Sequence, residues 1–186
     1  TKNFELAGYG REEMIFGKAG LAHVLERGDI LIDGGNSYFK DTQARYKKLA
    51  KTGIRFIDAG VSGGPGGARN GACIMVGGSE KLFKELEPLF ADLSVPEGYA
   101  HFEGPGAGHF VKMVHNGIEY GMMQALAEGF AVLKKSPYKI NLKRAADSYN
   151  RGSVIESRLV GWLERAYEAH GEELASMSGT VASTGE

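Results

Sequence analysis

Short apolar runs alternate with longer amphipathic stretches over the first half of the chain. Residues 29–33 (DILID), 54–60 (IRFIDAG) and 72–78 (ACIMVGG) are mostly apolar and end at or beside glycine, the pattern of buried strands. YAHF (99–102) predicts a last short strand. Between these runs, residues 39–52 put Ala44, Tyr46, Leu49 and Ala50 on or near one side of a helix. Residues 79–93 repeat Leu82, Phe83, Leu86, Leu89 and Phe90 at helical spacing behind Ser79, a residue of the N-cap type. Pro88 predicts a kink or a split in that helix. Strands alternating with helices predict an α/β layer with a largely parallel sheet, whose ligands bind beyond the carboxyl ends of the strands.

The pattern changes after residue 105. Residues 106–135 contain no strong breaker and predict one long helix, about 45 Å at 1.5 Å per residue. SPYKI (136–140) is a connector, and helices over about 141–151 and 153–169 follow. The division into an α/β part, residues 1–104, and an all-α part, residues 105–186, falls near Pro105.

The long helix carries polar groups in an otherwise apolar stretch, GHFVKMVHNGIEYG (108–121). At about 100° per residue, Lys112, His115, Asn116 and Glu119 fall within an arc of roughly 100°. Val111, Val114, Ile118 and Met122 point elsewhere. Such a stripe is ordinarily the solvated face of a helix, rich in Glu/Lys pairs. This one holds a single lysine, a single glutamate, a histidine and an asparagine. Lys112 and Glu119 stand two turns apart, about 10 Å along the axis. That separation leaves room for a small substrate between one base and one acid, the parts of a proton-transfer site. Gly117, Gly121, Ala125 and Gly129 form a separate row of small side chains, which suits close approach by another element.

Composition narrows the classes. Apolar residues make up 42%, enough for a core, and the net charge of −1 without a basic block argues against binding nucleic acid or a charged membrane surface. Cys73 is the single cysteine, so there is no disulfide framework and no zinc spacing. No long apolar run or signal-peptide pattern is present, which predicts a soluble, cytoplasmic protein. Glycine is unusual: 28 of 186 residues, gathered in DGGNS, VSGGPGGARNG and GPGAGH. In VSGG, Ser62 offers a hydroxyl, and Gly63 and Gly64 let backbone N–H groups converge on an anion. In DGGNS, the Asn36 amide can donate and accept. A plain turn explains either loop equally well.

Together IDGGNS (32–37), DAGVSGG (58–64) and GAGHFVKMVHNGIEYGMMQ (106–124) resemble the 6-phosphogluconate dehydrogenase family, from about residue 25 onward. The resemblance implies a partial Rossmann-like nucleotide domain followed by the start of a helical domain. It implies oxidative decarboxylation of 6-phosphogluconate with NADP or NAD, no metal, and a homodimer or higher homo-oligomer. Lys112 matches the family's general base and Glu119 the acid that protonates the enediol. Ser62, Gly63 and Gly64 match the loop that holds the carboxylate end of the substrate. His115 and Asn116 match contacts to substrate hydroxyls, Tyr120 a phosphate contact, and Asn36 a residue touching cofactor and substrate. A lysine acting as base must be neutral when substrate is bound, and desolvation favours that form.

Three departures stand beside the resemblance. There is no G-x-G-x-x-G after an N-terminal strand; GYGREE lacks the third glycine. Residues 1–20 match the family poorly, and the chain ends at SGTVASTGE, which predicts a partial enzyme. In RGSVIESR (151–158), Glu156 stands where the family often has a phosphate-holding arginine, leaving Arg151 or Arg158 as substitutes. The alternatives are another β-hydroxyacid dehydrogenase of the 3-hydroxyisobutyrate type, or a non-catalytic chain that binds a sugar phosphate.

Overall fold

The computed structural model describes residues 10–178. Residues 1–9 and 179–186 lie outside that range, and with them the start of GYGREE and most of the closing SGTVASTGE. The chain forms two compact units that divide between Val114 and His115.

The first unit is built on a four-stranded sheet in the order β1 (Ile30–Asp33), β2 (Arg55–Ser62), β3 (Ala72–Gly78), β4 (Ser94–Glu103). Its helices are α1 (Arg11–Phe16), α2 (Phe39–Ala50), α3 (Gly64–Asn70) and α4 (Glu80–Leu93), with a 3₁₀ turn at Leu21–His23. β2 is buried on both faces because successive side chains point to opposite sides. Phe56 joins Ile15, Leu31, Leu49 and Ile54 on one side. Ile57 joins Ile74, Val76, Leu82, Phe83 and Phe90 on the other. Helices therefore cover both faces, as a near-continuous apolar strand requires.

The sheet departs from the largely parallel expectation. β1 pairs with β2 and β3 with β4 in parallel, but β2 and β3 are antiparallel. The connection explains it. Residues 63–71 are too few for the crossover a parallel pair needs, so the chain returns alongside itself. Most of that glycine-rich connection, expected as loop, is the short helix α3. α4 runs unbroken from Glu80 to Leu93 with Pro88 inside it, so the proline does not split it. Ser79 caps it, its Oγ accepting the Leu82 N–H at 3.4 Å. β4 begins at Ser94, ahead of the expected residue 99.

The long helix is present as α5 (Ala107–Lys135), 29 residues that begin in the first unit and continue into the second. The second unit adds α6 (Leu142–Tyr149) and α7 (Arg158–His170). Asn141 and Ser157 cap them, accepting the N–H groups of Arg144 at 2.7 Å and Val160 at 3.2 Å. Phe130, Leu142, Ala146 and Tyr167 form its core.

Candidate active site

Glycine brings the start of α5 down onto the sheet. A Cβ on Gly60 in β2 would stand 2.3 Å from the Lys112 Cβ and 3.0 Å from the Gly108 carbonyl oxygen. One on Gly77 in β3 would meet the Gly108 N at 2.3 Å, and one on Gly108 would meet the Met75 carbonyl oxygen at 2.3 Å. Only hydrogen fits at these three positions. Lys112 is thus seated against β2 near its carboxyl end, and its side chain belongs to a residue only 9% exposed. Two residues beyond Gly60 on the same strand stands Ser62, half-buried at the strand's end. Gly63 and Gly64 follow with φ of 140° and 58°, a backbone path that residues with a Cβ rarely take.

Below Lys112 is a fully buried carboxylate. Asp58 on β2 accepts the N–H groups of Gly106 at 2.7 Å and His109 at 2.9 Å, so it caps α5 from a distant strand. The His109 Nδ1 lies 2.8 Å from the Thr42 Oγ of α2 and 3.9 Å from the Asp58 carboxylate. Burial raises the Asp58 carboxyl above its ordinary value, opposed by its two backbone N–H bonds. Burial lowers His109 and favours the neutral imidazole, opposed by the Asp58 and Asp33 carboxylates. Neither residue was singled out from sequence. The available signal was an aspartate inside the apolar run IRFIDAG, where an unpaired carboxylate is too costly to bury.

The loop after β1 is held from two sides. Asp33 accepts the Gly35 N–H at 3.2 Å and the Arg11 Nε at 3.2 Å. Ser37 accepts from the buried Arg45 of α2 at 2.9 Å. Asn36, half-buried, sits between these anchors. A Cβ on Gly35 would overlap the Arg11 guanidinium, whereas nothing lies within 4 Å of one on Gly34.

In the second unit, Asn116 is 7% exposed, and His115 and Glu119 are half-buried. The His115 Nδ1 lies 3.1 Å from the Asn116 Oδ1 and 3.6 Å from the Glu119 Oε2. Tyr120 is exposed. From Val114 to Met122 burial on α5 departs from polarity: Lys112 just before and Asn116 within are buried, while Ile118 is 60% exposed and Val114 and Met122 are also exposed; farther along, Phe130 is buried in the core of the second unit. The small-residue row has no neighbour within 4 Å of the missing Cβ atoms at Gly117, Gly121 or Gly129. Glu156 accepts the Gly152 N–H at 2.6 Å and closes the turn between α6 and α7. Arg151 is paired with Asp147 at 2.7 Å, and Arg158 opens α7 in an exposed position. Among the described residues, no group of three or more His, Cys, Asp or Glu side chains could hold a metal ion. No helix among them is long and apolar enough to cross a membrane.

A nucleotide-binding type of α/β unit, continued by a long helix with a buried lysine, is the class these features define. Residues 7–100 match the profile described as the NAD binding domain of 6-phosphogluconate dehydrogenase, and residues 108–137 match the C-terminal domain of that enzyme. The chain belongs to the 6-phosphogluconate dehydrogenase family. It is 47% identical over 163 residues to YqeC of Bacillus subtilis, whose own assignment to this activity is provisional, covering 88% of this chain and 54% of YqeC. It is 40% identical over 159 residues to the NAD(+)-dependent, decarboxylating 6-phosphogluconate dehydrogenase of Haloferax volcanii, covering 85% and 52%. The chain thus spans about half the length of these relatives. Among solved structures it is similar to the Plasmodium falciparum 6-phosphogluconate dehydrogenase, studied with NADP+ and with 6-phosphogluconate. The TM-score is 0.70 at 32% identity, covering 76% of this chain and 31% of that one.

Proposed function

We propose that the protein carrying this chain oxidises and decarboxylates 6-phosphogluconate to ribulose 5-phosphate and CO₂ while reducing NAD or NADP. Residues 1–104 are then the end of the nucleotide domain, and residues 105–186 the start of a helical substrate and dimerisation domain. The observation that carries this reading is the burial of polar side chains near the start of α5, with Lys112 and Asn116 covered and Ile118 exposed. A lysine and an asparagine covered where a helix ordinarily buries apolar side chains are groups suited to hold a ligand and move its proton.

The residues present fit the nicotinamide end of the cofactor. Asn36 and the open side of Gly34 lie beyond the carboxyl end of β1, where ligands of such sheets bind. The cofactor supplies a hydride acceptor when bound. Lys112 takes the proton of the substrate 3-hydroxyl as C3 becomes a ketone. The carboxylate, now β to that ketone, leaves as CO₂, and the bond electrons move to the 3-keto oxygen, which the lysine reprotonates. Glu119 delivers a proton to the carbon that lost the carboxylate while Lys112 takes the enol proton back, which leaves the ketone of ribulose 5-phosphate. Ser62 with the N–H groups of Gly63 and Gly64 holds the carboxylate end, His115 and Asn116 the hydroxyls, and Tyr120 the phosphate. The exposed apolar side of α5, with Val114, Ile118, Met122 and Val132, supports a homo-oligomer.

Nicotinamide reduction is measured with 6-phosphogluconate and with 3-hydroxyisobutyrate, beside a Lys112→Ala control. Turnover of 6-phosphogluconate alone, lost in the variant, is expected. Turnover of 3-hydroxyisobutyrate alone overturns the substrate assignment, and sugar-phosphate binding without turnover makes the chain a binding protein.

A further inference from the structure

The buried triad under the first turn of α5 ties three elements together. Asp58 comes from β2, His109 from α5 and Thr42 from α2, and each is shielded from solvent. Asp58 fixes the helix along its axis, because its two oxygens take N–H groups from Gly106 and His109, on either side of the helix start. His109 fixes the rotation of the helix, because its ring reaches sideways to the Thr42 hydroxyl at 2.8 Å. Thr42 is itself held in place through the Tyr38 carbonyl, 3.3 Å from its Oγ. Glycine supplies the closeness and gives no hold of its own. Gly60, Gly77 and Gly108 allow the helix to lie on the sheet but make no directional bond from a side chain. Lys112 follows His109 by three residues, just under one turn of about 3.6, so any slide or roll at His109 carries Lys112 with it.

We propose that Asp58, His109 and Thr42 are positioning residues that set the register of α5 on β2 and thereby hold Lys112 in its buried place beside Gly60. This rests on the reading of Lys112 as the base only for its purpose; the geometry is tested without turnover. Asp58→Asn keeps the size of the side chain but turns one acceptor into a donor facing a backbone N–H. Thr42→Val removes the hydroxyl at nearly equal shape, and Thr42→Ser restores it.

The 186-residue chain is compared by amide hydrogen exchange and by the acetylation rate of each lysine under limiting acetic anhydride, read by peptide mass spectrometry. In Asp58→Asn, exchange over residues 106–113 is expected to rise by about tenfold or more, the loss of a charge-assisted bond. Lys112 acetylation should rise several-fold, while exchange in β3 and acetylation of the exposed Lys81 stay as they were. Thr42→Val should give the same pattern more weakly, and Thr42→Ser should reverse it. If Asp58→Asn does not fold, the Thr42 pair decides. Unchanged Lys112 acetylation overturns the proposal, as does exchange that rises equally in β3 and α5, which marks a merely structural role. Failure of the proposed function would appear instead as absent turnover with this pattern intact.

Discussion

Replacing Gly60 by alanine adds one methyl group and nothing else, since the residue needs no left-handed backbone. That methyl would stand 2.3 Å from the Lys112 Cβ, where ordinary contact begins at 3.4 Å. Two other atoms stand at 3.0 Å, the Lys112 Cγ and a backbone oxygen, the Gly108 carbonyl, and the latter cannot swing aside. Relief therefore needs the start of α5 to lift by about 1 Å, against the bonds from Asp58. Overpacking of this kind costs about 1–3 kcal/mol. At a urea dependence of about 2 kcal/mol per M, the midpoint of the first unit should fall by roughly 0.5–1.5 M. Pulsed amide exchange in β2 and β3 along a urea titration reads that unit separately from the second. Gly117→Ala is the matched control. It lies inside α5 with nothing within 4 Å of the new methyl, so the same change should be neutral or stabilise by up to about 1 kcal/mol. A Gly60→Ala midpoint equal to that of the parent, or an equal loss in both variants, would refute the claim that glycine seats the helix.

The buried His109 gives the fold a pH dependence of known sign. Its folded value is lowered below 6.5 by burial, so the unfolded chain binds the proton more readily. The stability it contributes is complete above that value and is lost as pH falls through it toward the lowered folded value. Urea midpoints should therefore drop on going from about pH 7.5 to about 5.5, and His109→Gln should flatten the drop. Asp58 acts in the opposite direction: its raised carboxyl opposes folding as pH rises above 3.8, and Asp58→Asn should remove that contribution in the acid range. In the second unit, Asn141→Ala should cost about 1 kcal/mol by removing the 2.7 Å cap on Arg144, read as earlier thermal loss of helix.

Much of this fold was legible in the order of apolar and polar positions. The strand centres at DILID, FIDAG and ACIMVGG and the uninterrupted run from 106 to 135 follow from local periodicity, which survives in any tertiary setting. The direction of β3 was not, because alternation along a strand carries no polarity; only the shortness of the 63–71 link encodes it. The glycine surplus was half legible. Gly63 and Gly64 stand at the end of β2, where the apolar run before them predicts a break, but Gly60 and Gly77 lie inside strands and serve a helix contact visible only in three dimensions. The polar stripe of Lys112, His115, Asn116 and Glu119 was visible by angle alone. Its burial was not, since a helical wheel does not say which face is covered. Asp58 and His109 were hidden among apolar neighbours and separated by 51 positions in sequence, so no spacing rule connects them.

The central claim is that the Lys112 amine removes the proton that starts oxidation and releases CO₂. Carboxyl-labelled 6-phosphogluconate tests it directly, with labelled CO₂ and reduced nicotinamide counted in one reaction. The account predicts one CO₂ for each nicotinamide reduced, with both products lost together in Lys112→Ala while its amide exchange in β2 and β3 matches the parent. Equal product from Lys112→Ala, or nicotinamide reduced without release of the label, would contradict it.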